Sequence, residues 1–180
     1  MTDHRPQAPA RLFVTFLALA TLAAAPVSAQ DQDRPSFVPD VVRKVVLDPT
    51  TYAPAIVAWS ATRLDWQSSQ IFFQNGMNEH NSRFTVTGRA DDVAIGYGAG
   101  NRRILTDALA NMQLSIVNNV SAHAMERLLI ARYPSHRTLL RAIGWIERSA
   151  VASYWSYRLS AGHFRQWREN ERRAGALGYR

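Results

Sequence analysis

The chain has 180 residues, with 21 basic side chains, 14 acidic side chains and no cysteine. This length fits one domain plus additional segments, and the missing cysteine excludes disulfides, thiol nucleophiles and lipid attachment through a cysteine. The net charge of +7 comes almost wholly from arginine, because Lys44 is the only lysine. The arginines are spread along the chain, which favours a solvated basic face or contact with anionic lipid headgroups over nucleic-acid binding.

The N-terminus has the composition of a secretory signal peptide. Arg5 and Arg11 precede an apolar run over residues 12–25, and the small residues "VSA" follow at 27–29. A basic flank, a short apolar run and small residues at positions −3 and −1 predict cleavage after Ala29. The alternative is a retained N-terminal anchor, for which the run is short. We therefore expect an exported protein of the periplasm or cell envelope, and no cofactor.

Residues 30–51 are predicted to form a flexible leader with a short helix over residues 40–47, capped by Asp40. A helical domain then covers residues 52–180. Its first long helix is predicted over residues 52–75 and ends at Gly76, which sits where a left-handed C-cap belongs.

Residues 77–100 predict an ordered loop or a small β-hairpin, with Asp91 and Asp92 in the turn. Helical periodicity returns at Asn101, and Ser121 marks either a new helix cap or a bend. Pro134 ends this helix, because proline offers no amide hydrogen and disfavours helix in the residue before it. One apolar stripe follows this helix: Leu105, Leu109, Met112, Ile116 and Val120.

The last helix is predicted over residues 135–174 and has two adjacent stripes. The first is largely apolar: Leu139, Ile143, Ile146, Ala150, Ser153, Tyr157, Ala161 and Phe164. The second contains small residues that allow close helix approach: Ser149, Ala152, Ser156 and Ser160. Since no window of about 20 residues after the leader is free of charge, we expect an all-α, soluble or surface-bound bundle of about four helices with a long C-terminal helix.

The stretch "LDWQSSQIFFQNGMNEHN", residues 64–81, crowds polar groups around the end of the first long helix. We expect these groups to form a buried network with an arginine of another helix: Arg102, Arg103 or Arg148. One alternative is a simple solvated helix end. Another is a ligand or metal site, because one imidazole and two carboxylates suffice for zinc. The residues of this polar cluster are Asp65, Ser68, Ser69, Glu79, His80 and Asn81.

The pattern from Asp65 to Asn81 resembles one in small uncharacterised bacterial helical membrane proteins. Their first helix carries Asp followed by Ser or Thr and ends in Gly-x-x-Glu-x-Asn-Pro. Residues 126–145, "ERLLIARYPSHRTLLRAIGW", are similar to their basic, proline-containing connection. Ser82 replaces the proline, and the helices here are more polar. The resemblance implies a helical fold and no particular activity.

His123 and His163 are the catalytic candidates of a hydrolase alternative. Residues 121–124 and 156–163 resemble the two histidine motifs of the phosphatidic acid phosphatase superfamily. There, one histidine attacks phosphorus and the other protonates the leaving group. Tyr157 stands here in place of the phosphate-binding arginine, and Trp167 in place of the orienting aspartate.

Two further patterns indicate binding. Alternate glycines before two arginines at a helix start suggest an anion site at Gly98, Gly100, Arg102 and Arg103. Aromatic residues beside arginines suit a membrane or protein interface at Trp155, Arg158, Arg165 and Trp167. The favoured function is therefore a non-enzymatic envelope protein that binds an unknown protein partner or an anionic membrane surface. The alternative is a hydrolase using His123 and His163, or a metal-binding protein using Asp65, Glu79 and His80.

Overall fold

The structure is a computed structural model that describes residues 36–179. The predicted signal peptide with its cleavage point, and the leader up to residue 35, lie outside the described residues. Residues 36–179 form an all-α fold, which confirms the predicted class. Their α-helices are α1 (Phe37–Leu47), α2 (Ala53–Gln74), α3 (Tyr97–Arg132) and α4 (Arg137–Leu177).

The helix ends follow local signals in the sequence. Gly76 adopts a φ of 81°, and the Met77 N–H donates to the Phe72 carbonyl at 3.0 Å. This is the Schellman arrangement, which confirms the predicted left-handed C-cap of α2. Pro134 follows the end of α3, as predicted. Ser121, however, neither caps nor bends a helix: α3 is continuous, and the Ser121 hydroxyl donates to the Val117 carbonyl at 3.0 Å.

The short helix α1 packs on α3 through its buried residues Val41 and Val45. Arg127 of α3 donates to the Asp40 carboxylate at 3.0 Å and lies over the ring of Phe37. Residues 37–51 are thus part of the helical domain rather than a leader in front of it.

Helices α2 and α4 form the most extensive interface of the bundle. Buried alanines line α2, among them Ala58 and Ala61, and α4 contributes the buried small residues Ala152 and Ser160. Because these side chains are short, the two backbones can approach closely. The predicted seam of small residues therefore lies in the interior.

The first predicted stripe of α4 lies beside this seam and faces largely outward. We call it the outer stripe: Leu139, Ile143, Ile146, Ala150, Ser153, Tyr157, Ala161 and Phe164. Leu139 is 58% exposed, Ile146 59% and Tyr157 70%. Apolar periodicity does not mark the buried face of this helix, since α4 buries Arg148, Ala152, Ser160 and Asn170. Across residues 36–179, no helix combines the length and the apolarity required to cross a membrane.

The apolar core is small and lies where α2, α3 and the connecting loop meet. Trp66, Phe84 and Ile104 form its centre. Gly100 lies directly against Trp66, because a Cβ built there would come within 2.2 Å of the indole. The loop contains two isolated bridges, Glu79 with Asp92 and Thr85 with Ala94, and no strand, so the ordered-loop alternative is confirmed.

Candidate functional site

A cavity of about 590 Å³ opens between α2, the loop after it and the C-terminal half of α4. The residues that line it include the aromatic side chains of Trp66, Phe72 and Phe73 and the polar side chains of Asp65, His163 and Arg173. This volume falls in the range of about 300–1,000 Å³ that is usual for small-ligand sites. The predicted polar stretch therefore borders a cavity rather than a solid interface.

Asp65 is the centre of a network that joins α2 to α4. Its Oδ2 lies 2.7 Å from Nδ1 of His163, and its Oδ1 lies 3.4 Å from Nδ2 of Asn170. Since an ionised carboxylate only accepts hydrogen bonds, the imidazole proton shared with it lies on Nδ1. This leaves Nε2 as the other ring nitrogen of a histidine that lines the cavity.

Two serines complete this network. The hydroxyls of Ser68 and Ser69 donate to the Asp65 carbonyl, each at 2.9 Å. Their oxygens then accept hydrogen bonds from Nδ2 of Asn170, at 3.0 Å and 2.9 Å. Asn170 is only 5% exposed. The network therefore satisfies polar groups that packing of the two helices removes from water.

Glu79 approaches the same cavity from the loop. Its backbone pairs with that of Asp92, and its Oε1 accepts the Asn81 N–H at 2.7 Å. Burial raises the pKa of Glu79 above its ordinary value, and the neighbouring charge of Asp65 adds to this effect. Within the described part of the chain, no lysine, arginine or histidine forms an ion pair with Glu79.

The other members of the predicted polar cluster play smaller parts. His80 pairs with Asp91 on the exposed surface of the loop. The Asn81 side chain accepts the Arg83 N–H at 3.1 Å and starts a short 3-10 turn. Across residues 36–179, no three His, Asp or Glu side chains converge as a metal site. The alternative that joined Asp65, Glu79 and His80 around a metal was therefore wrong.

The expected arginine partners were also wrong. Arg102 and Arg103 are exposed on α3, and neither pairs with Asp65. Arg148 is buried in a different cluster. The actual partners are His163 and Asn170, which follow Asp65 by 98 and 105 residues. A histidine and an amide suit this place because they bind the carboxylate while leaving an open volume beside it.

The second polar cluster lies at the junction of α1 and α2 and is a structural tie. Arg148 donates from Nε to Oδ2 of Asp48 at 2.8 Å and from NH1 to Oε2 of Glu126 at 2.8 Å. Asp48 also accepts the Thr50 N–H at 3.0 Å. The Asn119 amide donates to Thr51 at 2.7 Å. One guanidinium thus joins α3, α4 and the turn before α2.

The ionisation of this second cluster follows from its burial. Although burial alone would raise the pKa of Asp48, hydrogen bonds from Thr50 and the charge of Arg148 hold it below its ordinary value. His123 lies 3.1 Å from Asp48, and its Nδ1 is buried without a hydrogen-bond partner. Burial and the Arg148 charge lower the pKa of His123. The neutral imidazole is therefore favoured.

The structure does not bring the residues of the remaining predicted sites together into binding or catalytic centres. His123, on α3, belongs to the cluster around Arg148, whereas His163 lines the cavity. Arg148 and His163 are about 22 Å apart along the axis of α4. The two histidines do not form one phosphatase-like centre. Gly98 and Gly100 lie in the first turn of α3, where Gly100 packs against Trp66 instead of facing an anion. The interface candidates Trp155, Arg158 and Arg165 are exposed, and Trp167 is half-buried.

The second cluster was largely missed from the sequence, although two signals for it exist. Asp48 precedes Pro49 and two threonines, which is the pattern of a capped turn. Arg148 is the one charged residue in the run of small residues that continues through Ala152, Ser156 and Ser160 at intervals of four. A lone arginine on a small-residue face predicts a buried, paired guanidinium.

Comparisons of the chain with protein-family models, with curated proteins and with solved structures find no match. The resemblance of the segment from Asp65 to Asn81 to small bacterial helical membrane proteins stays a prediction. The contacts within residues 36–179 are consequently the basis for assigning a function.

Proposed function

We propose that the chain is an exported, non-enzymatic envelope protein that binds an anionic membrane surface through the outer stripe of α4. The observation that supports this most is the exposure of the stripe on a helix whose buried face is small and polar. Exposed contiguous apolar patches on folded proteins usually mark interaction surfaces. Export itself is proposed from the signal-peptide pattern before Gln30.

The shape of the stripe suits contact with a flat surface. From Leu139 to Tyr157 it extends about 27 Å along the helix, at 1.5 Å per residue. Tyr154 and Trp155, which are also exposed, pack edge to face beside it. Tyrosine and tryptophan prefer the boundary between lipid headgroups and acyl chains, because their rings are apolar and their polar atoms remain hydrated.

The charge around the stripe favours an anionic lipid over an apolar protein surface. Between residues 137 and 168, α4 has a single acidic residue, Glu147. Helices that lie in the plane of a membrane combine an apolar aromatic face with basic residues in this way. The exposed arginines of this segment are Arg137, Arg141, Arg158, Arg165 and Arg168.

The test is co-sedimentation of the protein, lacking residues 1–29, with vesicles. We expect it to pellet with vesicles that contain phosphatidylglycerol and to remain in solution with pure phosphatidylcholine. Binding should weaken as salt rises from about 0.05 to 0.5 M, since salt screens exposed arginines. The double variant Ile146→Ser, Tyr157→Ser should lose most binding while its melting temperature is retained, because both side chains are exposed in the fold.

A matched control replaces two exposed valines of the loop, Val86 and Val93, by serine, and this variant should bind as the parent protein does. If the parent protein does not bind anionic vesicles, the proposal is contradicted. In that case, self-association through the stripe or a protein partner would be the better account of its exposure.

A further inference from the structure

We propose that the cavity between α2, the loop and α4 binds a small organic ammonium ion, with the Glu79 carboxylate as its counter-ion and the Phe73 ring against its apolar part. This site is separate from the outer stripe and shares no residue with it. The proposal therefore stands or fails independently of membrane binding.

The first argument is the charge balance of Glu79. The side chain is half-buried, its Oε1 accepts the Asn81 N–H at 2.7 Å, and the His80 N–H also interacts with the carboxyl group. Within residues 36–179 Glu79 forms no ion pair, although the adjacent His80 partly offsets the rise in its pKa that burial causes, and Arg173 in the same cavity lies over the Phe72 ring instead. Asp65 is bound by His163 and Asn170. A carboxylate withdrawn from water without a counter-ion is unfavourable unless a ligand supplies the positive charge.

The second argument is the chemistry of the cavity wall. Phe73 lines the cavity and is only partly buried, whereas Trp66 is 3% exposed and Phe72 6% exposed. The Arg173 guanidinium, which also lines the cavity, lies over the Phe72 ring at 6.0 Å, so Phe73 is the ring face open to a ligand. Aromatic faces attract organic cations through their quadrupoles, and aromatic walls near a carboxylate are a usual way of binding ammonium groups. The apolar lining also accommodates an apolar substituent. A ligand that joins an ammonium group to an aryl or alkyl body therefore matches both the Glu79 carboxylate and this lining.

The third argument is rigidity. The Glu79 backbone is paired with Asp92 in both directions, at 2.8 Å and 3.2 Å, so the loop holds the carboxylate in place without a ligand. Opposite it, Asp65 fixes the His163 ring through Nδ1. A preformed site loses little conformational entropy on binding, which favours measurable affinity for a small ligand.

The experiment is isothermal titration calorimetry with 2-phenylethylamine as the probe and 3-phenylpropionate as its anionic counterpart of similar size. The protein without residues 1–29 should bind the amine at one site per chain and should not bind the acid. Glu79→Gln keeps the shape of the side chain and removes its charge, and should weaken amine binding at least about tenfold, as expected for a charge-assisted hydrogen bond. Glu171→Gln, at an exposed carboxylate on α4, should change the affinity less than about twofold.

Three results would overturn the inference: no saturable heat with the amine up to about 10 mM, equal binding of the acid, or unchanged affinity in the Glu79→Gln protein. Circular dichroism melting curves of both variants establish that they are folded. Because Glu79 is in the loop and outside the helix interfaces, its substitution should leave the melting temperature close to that of the parent.

Discussion

At the residue scale, Arg148 is the side chain whose loss the fold should tolerate least. Its guanidinium binds two carboxylates of different segments at once, and it is only 6% exposed. Removing one partner of a buried ion pair leaves the opposite charge uncompensated in the interior. Arg148 therefore joins the turn between α1 and α2 to α3 and α4.

We expect Arg148→Met to lower the free energy of unfolding by about 3–5 kcal/mol, because Asp48 and Glu126 lose their shared cation. Urea denaturation followed by circular dichroism measures the change. Arg141→Met is the matched control on the same helix: Arg141 is exposed, so its loss should alter stability by less than about 0.5 kcal/mol. Similar losses in both proteins would show that the buried cluster is not a stabilising tie.

Gly100 and Gly98 provide a second test at the residue scale, within one helical turn. Gly100→Ala should destabilise by about 1–3 kcal/mol, since the added Cβ meets the rigid Trp66 ring. Gly98→Ala meets only the flexible end of Arg102 at 3.7 Å and should stabilise α3 by up to about 1 kcal/mol. Thermal melting of the two proteins distinguishes these effects, and a stable Gly100→Ala protein would contradict the close packing against Trp66.

At the scale of elements, the helices were predictable and the choice of buried face was not. Gly76 and Pro134 lie just after the ends of α2 and α3. Each acts on the adjacent backbone, so these helix ends can be recognised from the local sequence. Periodicity also placed Leu139 and Tyr157 on one side of α4. Periodicity gave no information on which side of α4 packs against the other helices. That choice depends on α2, whose buried face is alanine-rich and accepts a partner face of small residues.

The polar cluster shows the same limit of sequence reasoning. Asp65 and the two serines were recognisable because polar groups crowd the C-terminal part of α2 and the loop after it. Their partner Asn170 is more than 100 residues away, and no local pattern connects it to them. Arginine was expected because it is the commonest cation of this chain, whereas the place beside the cavity is filled by an amide and an imidazole.

Asn170→Ala tests the contribution of this network to the α2–α4 interface. The change removes the donor to Ser68 and Ser69 inside a buried contact, so we expect a loss of about 1–3 kcal/mol in unfolding free energy. Glu171→Ala, at the neighbouring exposed position, should have little effect. If chemical denaturation finds both variants as stable as the parent, the network does not hold the two helices together.

At the scale of the whole molecule, α4 buries the polar residues Arg148, Ser160 and Asn170, while its apolar outer stripe is largely exposed. The interior is stabilised by two polar ties and a small apolar core around Trp66, while a long apolar surface remains exposed. Such a distribution suits a protein that completes its burial by contact with another surface. It also makes stability depend on pH, because the cluster around Arg148 contains Asp48 and His123, whose pKa values are lowered.

Acidification should weaken the fold through His123. Its pKa is lowered in the folded state, so the unfolded chain binds the proton more readily, and stability falls as pH drops below about 6.5. Asp48, whose pKa is also lowered, adds a further loss below about pH 3.8, whereas the raised pKa of Glu79 acts in the opposite direction. The melting temperature of the His123→Gln protein should fall less between pH 7.5 and 5.5 than that of the parent. If the melting temperatures of both proteins fall equally over this range, His123 is not the source of the acid sensitivity.

The most direct test of the account is to place one fluorophore on the outer stripe. Because the chain has no cysteine, Ala150→Cys can be labelled there with an environment-sensitive dye, and Arg89→Cys serves as the control in the loop at the other end of α4. With phosphatidylglycerol vesicles, the emission of the dye at position 150 should shift to the blue while that at position 89 stays unchanged. An unchanged spectrum at position 150, or an equal shift at position 89, would contradict membrane contact through the outer stripe.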